Sequence, residues 1–214
     1  MATQDFTWRL AVTDDDLRAA YNLRDEVFVK EQGFDADREI DSLDDTAAQM
    51  LLIDAEDNSI QGTLRILPIP FSEKAPLYHS PDRKDNSPPG SGRTEEQIIA
   101  ALVEGQQLLE QSAEGPSALL SGVKLGRIAI RTSHRGRGGG RRLLEDAEKW
   151  IIKALSETPA TKGTKQVEAN VELSGQVSAR KFYDRLGFHT DNNEYMEEGQ
   201  PHLRYQKRLT VRKE

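Results

Sequence analysis

The sequence predicts an α/β fold, and three stretches carry that expectation. Residues 123–155 pass from an apolar, β-branched strand through a glycine–arginine loop into an amphipathic helix. Residues 166–173 alternate between apolar and polar, and a helix closed by Gly187 follows. Residues 49–67 read as two strands joined by the short polar turn Glu56-Asp57-Asn58-Ser59, which predicts a hairpin.

Taken in order, residues 5–12 (DFTWRLAV) suit a first strand. Thr13 is placed to cap a helix, with Asp14, Asp15 and Asp16 at its positive end. Leu17, Ala20, Tyr21, Arg24 and Val27 keep helical spacing, so this helix is expected to run until Gly33 stops it. Residues 23–44 carry Asp25, Glu26, Glu31, Asp35, Asp37, Glu39, Asp41 and Asp44, most of them expected to be merely solvated. Pro68 and Pro70 end the second hairpin strand. Residues 71–93 then turn to Ser, Pro, Asp, Gly and Arg, with Ser87-Pro88-Pro89-Gly90-Ser91-Gly92 expected to be the most mobile piece. Thr94 and Gln97 form a capping-box pattern. Behind it Ile98, Ala101, Leu102, Leu108 and Leu109 predict an amphipathic helix to about residue 111, interrupted at Gly105.

In the central stretch, Val123, Leu125, Ile128 and Ile130 supply the buried strand. Helical spacing resumes at Leu143 with Leu144, Ala147, Ile151, Ala154 and Leu155. Pro159 and Gly163 break the chain before Val167, Ala169, Val171 and Leu173 line one face of the next strand. A helix then runs over 176–186, with Phe188 placed to cover its last turn beyond Gly187. Residues 189–212 supply the last two strands.

The junction at residues 131–142 (RTSHRGRGGGRR) is built for an anion. Gly136, Gly138, Gly139 and Gly140 lie among five arginines and one histidine. A helix N-terminus exposes up to about four unpaired N–H groups and carries roughly half a positive charge. Glycine lets those groups approach a phosphate, and arginine adds donors that stay charged at any working pH. A pyrophosphate is the natural ligand. The dinucleotide pattern GxGxxG fails because Arg141 stands at its last glycine, and no Lys follows the glycines as a P-loop requires.

What matches is Arg-x-x-Gly-x-Gly at Arg135, Gly138 and Gly140, which resembles the coenzyme A loop of the GCN5-related N-acetyltransferase (GNAT) superfamily. The run Ala179-x-x-Phe182-Tyr183-x-x-x-Gly187-Phe188 resembles a second signature of the same superfamily. Residues 24–32 (Arg-x-x-Val-Phe-Val-x-Glu-Gln), 39–44 and 197–202 resemble its ElaA-like branch. The resemblance covers residues 1–70 and 119–214. It implies a GNAT fold, a mixed and mostly antiparallel sheet flanked by helices. It also implies one N-acetyltransferase domain over 1–214, with residues 71–118 inserted between the third and fourth strands. Acetyl-CoA is the implied acyl donor, held by the loop residues Arg135, Gly136, Arg137, Gly138, Gly139 and Gly140. The strand backbone at Ile128, Ala129 and Ile130 would grip the pantetheine, with Gln176 standing where the family commonly has Asn.

The chemistry implied is acetyl transfer to a primary amine by direct attack in a ternary complex. With no cysteine there is no thiolate nucleophile and no thiolate metal site, and no metal is expected. Tyr183 is the candidate acid for the departing sulfur and a coenzyme contact, because a phenol near pKa ~10 carries a transferable proton at neutral pH. Glu31, Glu198 and His202 are candidate bases. The acceptor is expected to be a small-molecule or peptide amine. A non-catalytic acyl-CoA-binding or protein-interaction module is the alternative.

A net charge of −7 around a locally basic loop favours a small phosphorylated ligand over nucleic acid. No run of apolar residues is long enough for a membrane span and none lies near Met1, so neither membrane nor signal peptide is expected. The cytoplasm is the expected compartment, with the nucleus also open; oligomeric state is unknown from the sequence.

Overall fold

The computed structural model describes residues 5–71, 86–111, 117–156, 158 and 166–212. It contains two compact units, Met1–Leu67, Ser72–Ala100 and Arg127–Ala147 in the first, and Pro68–Phe71, Ala101–Gly126 and Glu148–Glu214 in the second. Strand β5 (Ser117–Ile130) and helix α4 (Gly139–Leu155) run through both. The fold is mixed α/β with a mostly antiparallel open sheet flanked by helices, as the sequence predicts.

In the first unit β1 (Phe6–Leu10) pairs antiparallel with β2 (Ala48–Asp54), which pairs antiparallel with β3 (Ile60–Pro68). The hairpin expected around residues 56–59 is therefore present. Strand β2 is buried along its whole length. Its Leu51 and Ile53 pack with Leu17, Ala20 and Tyr21 of α1 (Asp14–Arg24), and on the alternate face Leu52 lies against Gly139 at the start of α4. Thr13 caps α1 as its position predicts, its Oγ1 accepting from the Asp16 N–H at 3.2 Å.

Three expectations for this unit are corrected. Gly33, at φ +74°, does stop the helical run, but the α-helix ends at Arg24 and continues as a seven-residue π-helix, Asp25–Glu31. The acidic stretch is not mainly a solvated face, because five of its eight carboxylates pair with arginines: Glu39, Asp41 and Asp44 with Arg24, Arg65 and Arg127, Glu26 with Arg131, and Glu31 with Arg135. Residues 86–92 are tied down rather than free. Tyr21 Oη donates to the Pro89 carbonyl at 2.9 Å, Arg18 to that of Asn86 at 2.6 Å, and the Gly90 N–H to Asp45 at 3.2 Å. Tyr21→Phe should therefore lower stability by about 1 kcal/mol, or roughly 2–4 °C in a thermal melt. An unchanged melting temperature would return this segment to a passive excursion. Residues 72–85 and the breaks expected at Pro159 and Gly163 lie outside the described residues.

In the second unit β5 pairs in parallel with β6 (Gln166–Gln176), and β6 pairs antiparallel with β8 (Gln200–Arg212) along its whole length. The short β7 (Tyr195–Glu197) adds to β8 through a tight turn at Glu198 and Gly199, both left-handed. The alternation read from residues 166–173 is observed, with every second residue of β6 buried. Gly122 forms a bulge in β5 at φ +83°, where a Cβ would lie 1.8 Å from the Asn170 carbonyl oxygen.

The capping box opens α3 (Glu95–Glu104), with the Thr94 N–H and Gln97 Oε1 2.9 Å apart. That helix does not reach residue 111. Leu108–Gln111 form β4, antiparallel to β5, because a short apolar run fits either period and here the edge of β5 accepts it. The final helix is shorter than predicted, a 3₁₀ turn (Val177–Ala179) followed by α5 (Arg180–Arg185). It closes as expected. The Phe188 N–H reaches the Tyr183 carbonyl at 3.1 Å and the Gly187 N–H reaches that of Asp184 at 3.1 Å, with Gly187 at φ +79°. Among the described residues no helix is long and apolar enough to cross a membrane.

Candidate active site

The glycine–arginine loop belongs to the first unit. The end of β5 reaches it at Ile130, after Ala129 has packed inward on Leu23 and Val27. Gly62 of β3 makes that approach possible, since a Cβ there would meet Ile130 Cδ1 at 2.5 Å and the Ala129 carbonyl oxygen at 2.9 Å. After β5 the chain makes a 3₁₀ turn (Thr132–His134) and enters α4 at Gly139, four residues earlier than helical spacing alone suggested.

Three of the loop's glycines serve two different purposes. Gly136 at φ +75° and Gly138 at φ +91° adopt left-handed backbone, and a Cβ on either would meet nothing within 4 Å. That side of the loop is open. Gly139 is the opposite case, with a Cβ placed 2.8 Å from Leu52 Cδ2 and 3.4 Å from Phe6 Cζ. It sets the first turn of α4 down on Leu52 and Phe6; the N–H groups of that turn, as at any helix start, have no intrahelical acceptors. The residues present fit a pyrophosphate: an open backbone cradle at the positive end of a seventeen-residue helix.

The loop's arginines are more engaged than their spacing suggested. Arg135 Nη1 and Nη2 bind Glu31 at 2.5 and 2.8 Å, and its Nε donates to the Ile130 carbonyl at 2.9 Å. Thr132 Oγ1 donates to the same carboxylate at 2.8 Å. Arg135, opposed by slight burial and joined by Thr132, lowers the Glu31 carboxyl from its ordinary value. Arg141 pairs with Glu145 at 2.7 Å and Arg142 with Asp146, each one helical turn on.

The second unit holds Gln176, Tyr183 and His202. Gln176 ends β6 directly opposite His202 of β8. His202 is buried, and its Nδ1 lies 2.9 Å from the Gln200 carbonyl oxygen. A carbonyl only accepts, so Nδ1 carries the proton and Nε2 is the basic nitrogen. Around it stand groups that the sequence did not single out. Ser174 Oγ lies 2.5 Å from Tyr195 Oη and donates to Glu197, while the Tyr195 ring lies 6.2 Å from that of His202. Strand register brings these together, and register across remote strands leaves no local mark in sequence.

Tyr183 is buried, its ring centroid 4.7 Å from Tyr205 and 6.0 Å from Phe188. Gly175 lets the ring seat itself, since a Cβ there would lie 2.5 Å from Tyr183 Cε2. Burial, then the neighbouring Tyr205, pushes the Tyr183 phenol above its ordinary value. Tyr205, also unforeseen, has a buried hydroxyl without a hydrogen-bond partner among the described residues.

The family model described as an acetyltransferase (GNAT) domain matches residues 110–209. An uncharacterized protein of Bacillus subtilis (strain 168), YyaT, is 33% identical over 88 residues, which make up 41% of this chain and 51% of that protein. The chain thus spans about half the length of this curated relative. A crystal structure of a putative N-acetyltransferase from Lactobacillus plantarum shares the fold at 24% identity and a TM-score of 0.57, over 95% of this chain and 98% of that one. Escherichia coli ElaA shares it at 17% identity and a TM-score of 0.53, over 95% and 99%.

Proposed function

We propose that this chain, whose residues 110–209 match the acetyltransferase (GNAT) domain model, is an acetyl-CoA-dependent N-acetyltransferase acting on a primary amine, its acetyltransferase domain carrying residues 71–118 as an insertion. One observation carries the donor assignment: left-handed Gly136 and Gly138, open on one side, lead into the N-terminus of α4. Backbone N–H groups there suit a pyrophosphate, with Arg137 as an added cation. The Ile128–Ile130 backbone and the Gln176 amide serve the pantetheine arm.

The acceptor amine must reach the thioester carbon as a neutral nucleophile. We assign its proton to His202 Nε2, the free nitrogen of a ring oriented through Nδ1. The C–N bond forms, the C–S bond breaks, and the departing thiolate takes the Tyr183 proton. Glu31 is less suited as base, because Arg135 and Thr132 occupy its oxygens and hold it ionised.

Gly138→Val tests the donor site. A β-branched residue at φ +91° is strained, and its branches occupy the loop's open side. Calorimetry should show acetyl-CoA binding weakened more than about tenfold, or about 1.4 kcal/mol, with the circular dichroism spectrum kept. Unchanged affinity in a folded variant would remove the loop as the donor site. Free thiol release across a panel of amines, with acetyl-CoA against longer acyl-CoA donors, tests the reaction. Binding without thiol release would instead favour an acyl-CoA-binding module.

A further inference from the structure

The π-helix Asp25–Glu31 presents two carboxylates to the loop. In an α-helix, residues five apart lie roughly 140° apart around the axis at about 3.6 residues per turn. In the i→i+5 pattern of a π-helix they stand nearly one above the other. Glu26 and Glu31 are five apart, and both reach the loop: Glu26 lies 3.2 Å from Arg131 Nε, and Glu31 binds Arg135 through both terminal nitrogens. Arg131 and Arg135 bracket the 3₁₀ turn Thr132–His134. The turn is held from other sides as well, by the Arg131 N–H on the Gln61 carbonyl at 2.9 Å and by His134 Nε2, 3.7 Å from Asp54.

We infer that Glu31 and Arg135 are positioning residues for the donor loop: the π-helix aligns Glu31 so that its pairing with Arg135 fixes the backbone ahead of Gly136 and Gly138 in its anion-binding form. This role presupposes the loop as the donor's phosphate site. All three guanidinium nitrogens of Arg135 already have acceptors. A phosphate wanting Arg135 would have to displace Glu31, whereas backbone N–H groups bind without breaking the pair.

The two roles give opposite signs in one experiment. Acetyl-CoA affinity is measured by calorimetry, with KM and kcat beside it, for the unaltered chain, Glu31→Gln, Arg135→Gln and the double variant. As a positioning pair, either single change should weaken donor binding by about threefold or more, the double no further than the worse single, with the loss in KM rather than kcat. If Arg135 is instead a phosphate ligand for which Glu31 competes, Glu31→Gln tightens binding while Arg135→Gln weakens it. If Glu31 is the base, Glu31→Gln lowers kcat and leaves affinity alone. Either result overturns the positioning role, as does affinity unmoved by any variant. Absence of acetyl-CoA binding by the unaltered chain overturns the donor site itself and, with it, this pair's role.

Discussion

Arg24→Met should be among the most destabilising single substitutions in this chain, by roughly 3–5 kcal/mol. Its guanidinium is fully buried. Nε binds Glu39 at 2.6 Å, Nη1 and Nη2 bind Asp44 at 2.8 and 3.1 Å, and the group lies 5.1 Å from the Tyr21 ring centre. Arg65 and Arg127 complete the network on Asp41, Asp44 and Glu39, so three cations meet three carboxylates. Removing one leaves a buried carboxylate without its strongest partner. The melting temperature should fall by roughly 6–20 °C at about 2–4 °C per kcal/mol.

A pH series adds a second check. Burial alone would raise the Asp44 carboxyl; Arg24 and then Arg65 override it and hold it well below the usual carboxylate range. A depressed folded pKa gives stability that is present above the unfolded value near ~3.9 and is lost as pH falls below it. Arg24→Met should flatten that acid slope. A loss under about 1 kcal/mol, with the slope kept, would show that the network is screened and contributes little.

Local period and composition made the strand, loop and helix of residues 123–155 legible, along with the hairpin and the Gly187 closure. The missed features depend on distant partners. Arg127 meets Glu39 across 88 positions, Tyr21 meets Pro89 across 68, and Glu31 meets Arg135 across 104. Glu31 and Arg135 were each legible as candidates, yet nothing local marks them as a pair. The π-helix is hidden for another reason. Val27 lies where either helix would bury it, and over so few residues the two periods scarcely separate. Leu108 and Leu109 were misread because four residues cannot distinguish a strand from the end of a helix.

Tyr183→Phe should lower turnover by about 100-fold or more while leaving acetyl-CoA affinity nearly unchanged. The departing thiolate needs a proton, and burial keeps the Tyr183 phenol protonated throughout the working range. No basic limb below pH ~10 should therefore arise from this group. Phenylalanine preserves the ring packed on Gly175, Tyr205 and Phe188, so the fold and coenzyme contacts survive and only the hydroxyl is lost. A purely structural hydroxyl predicts the reverse, a small change in rate and a loss in melting temperature if that group holds a buried partner. Turnover, calorimetric affinity and a thermal melt on this one variant separate the two cases. Full activity in the Phe variant would end the acid role of Tyr183 and leave water or another donor to protonate the sulfur.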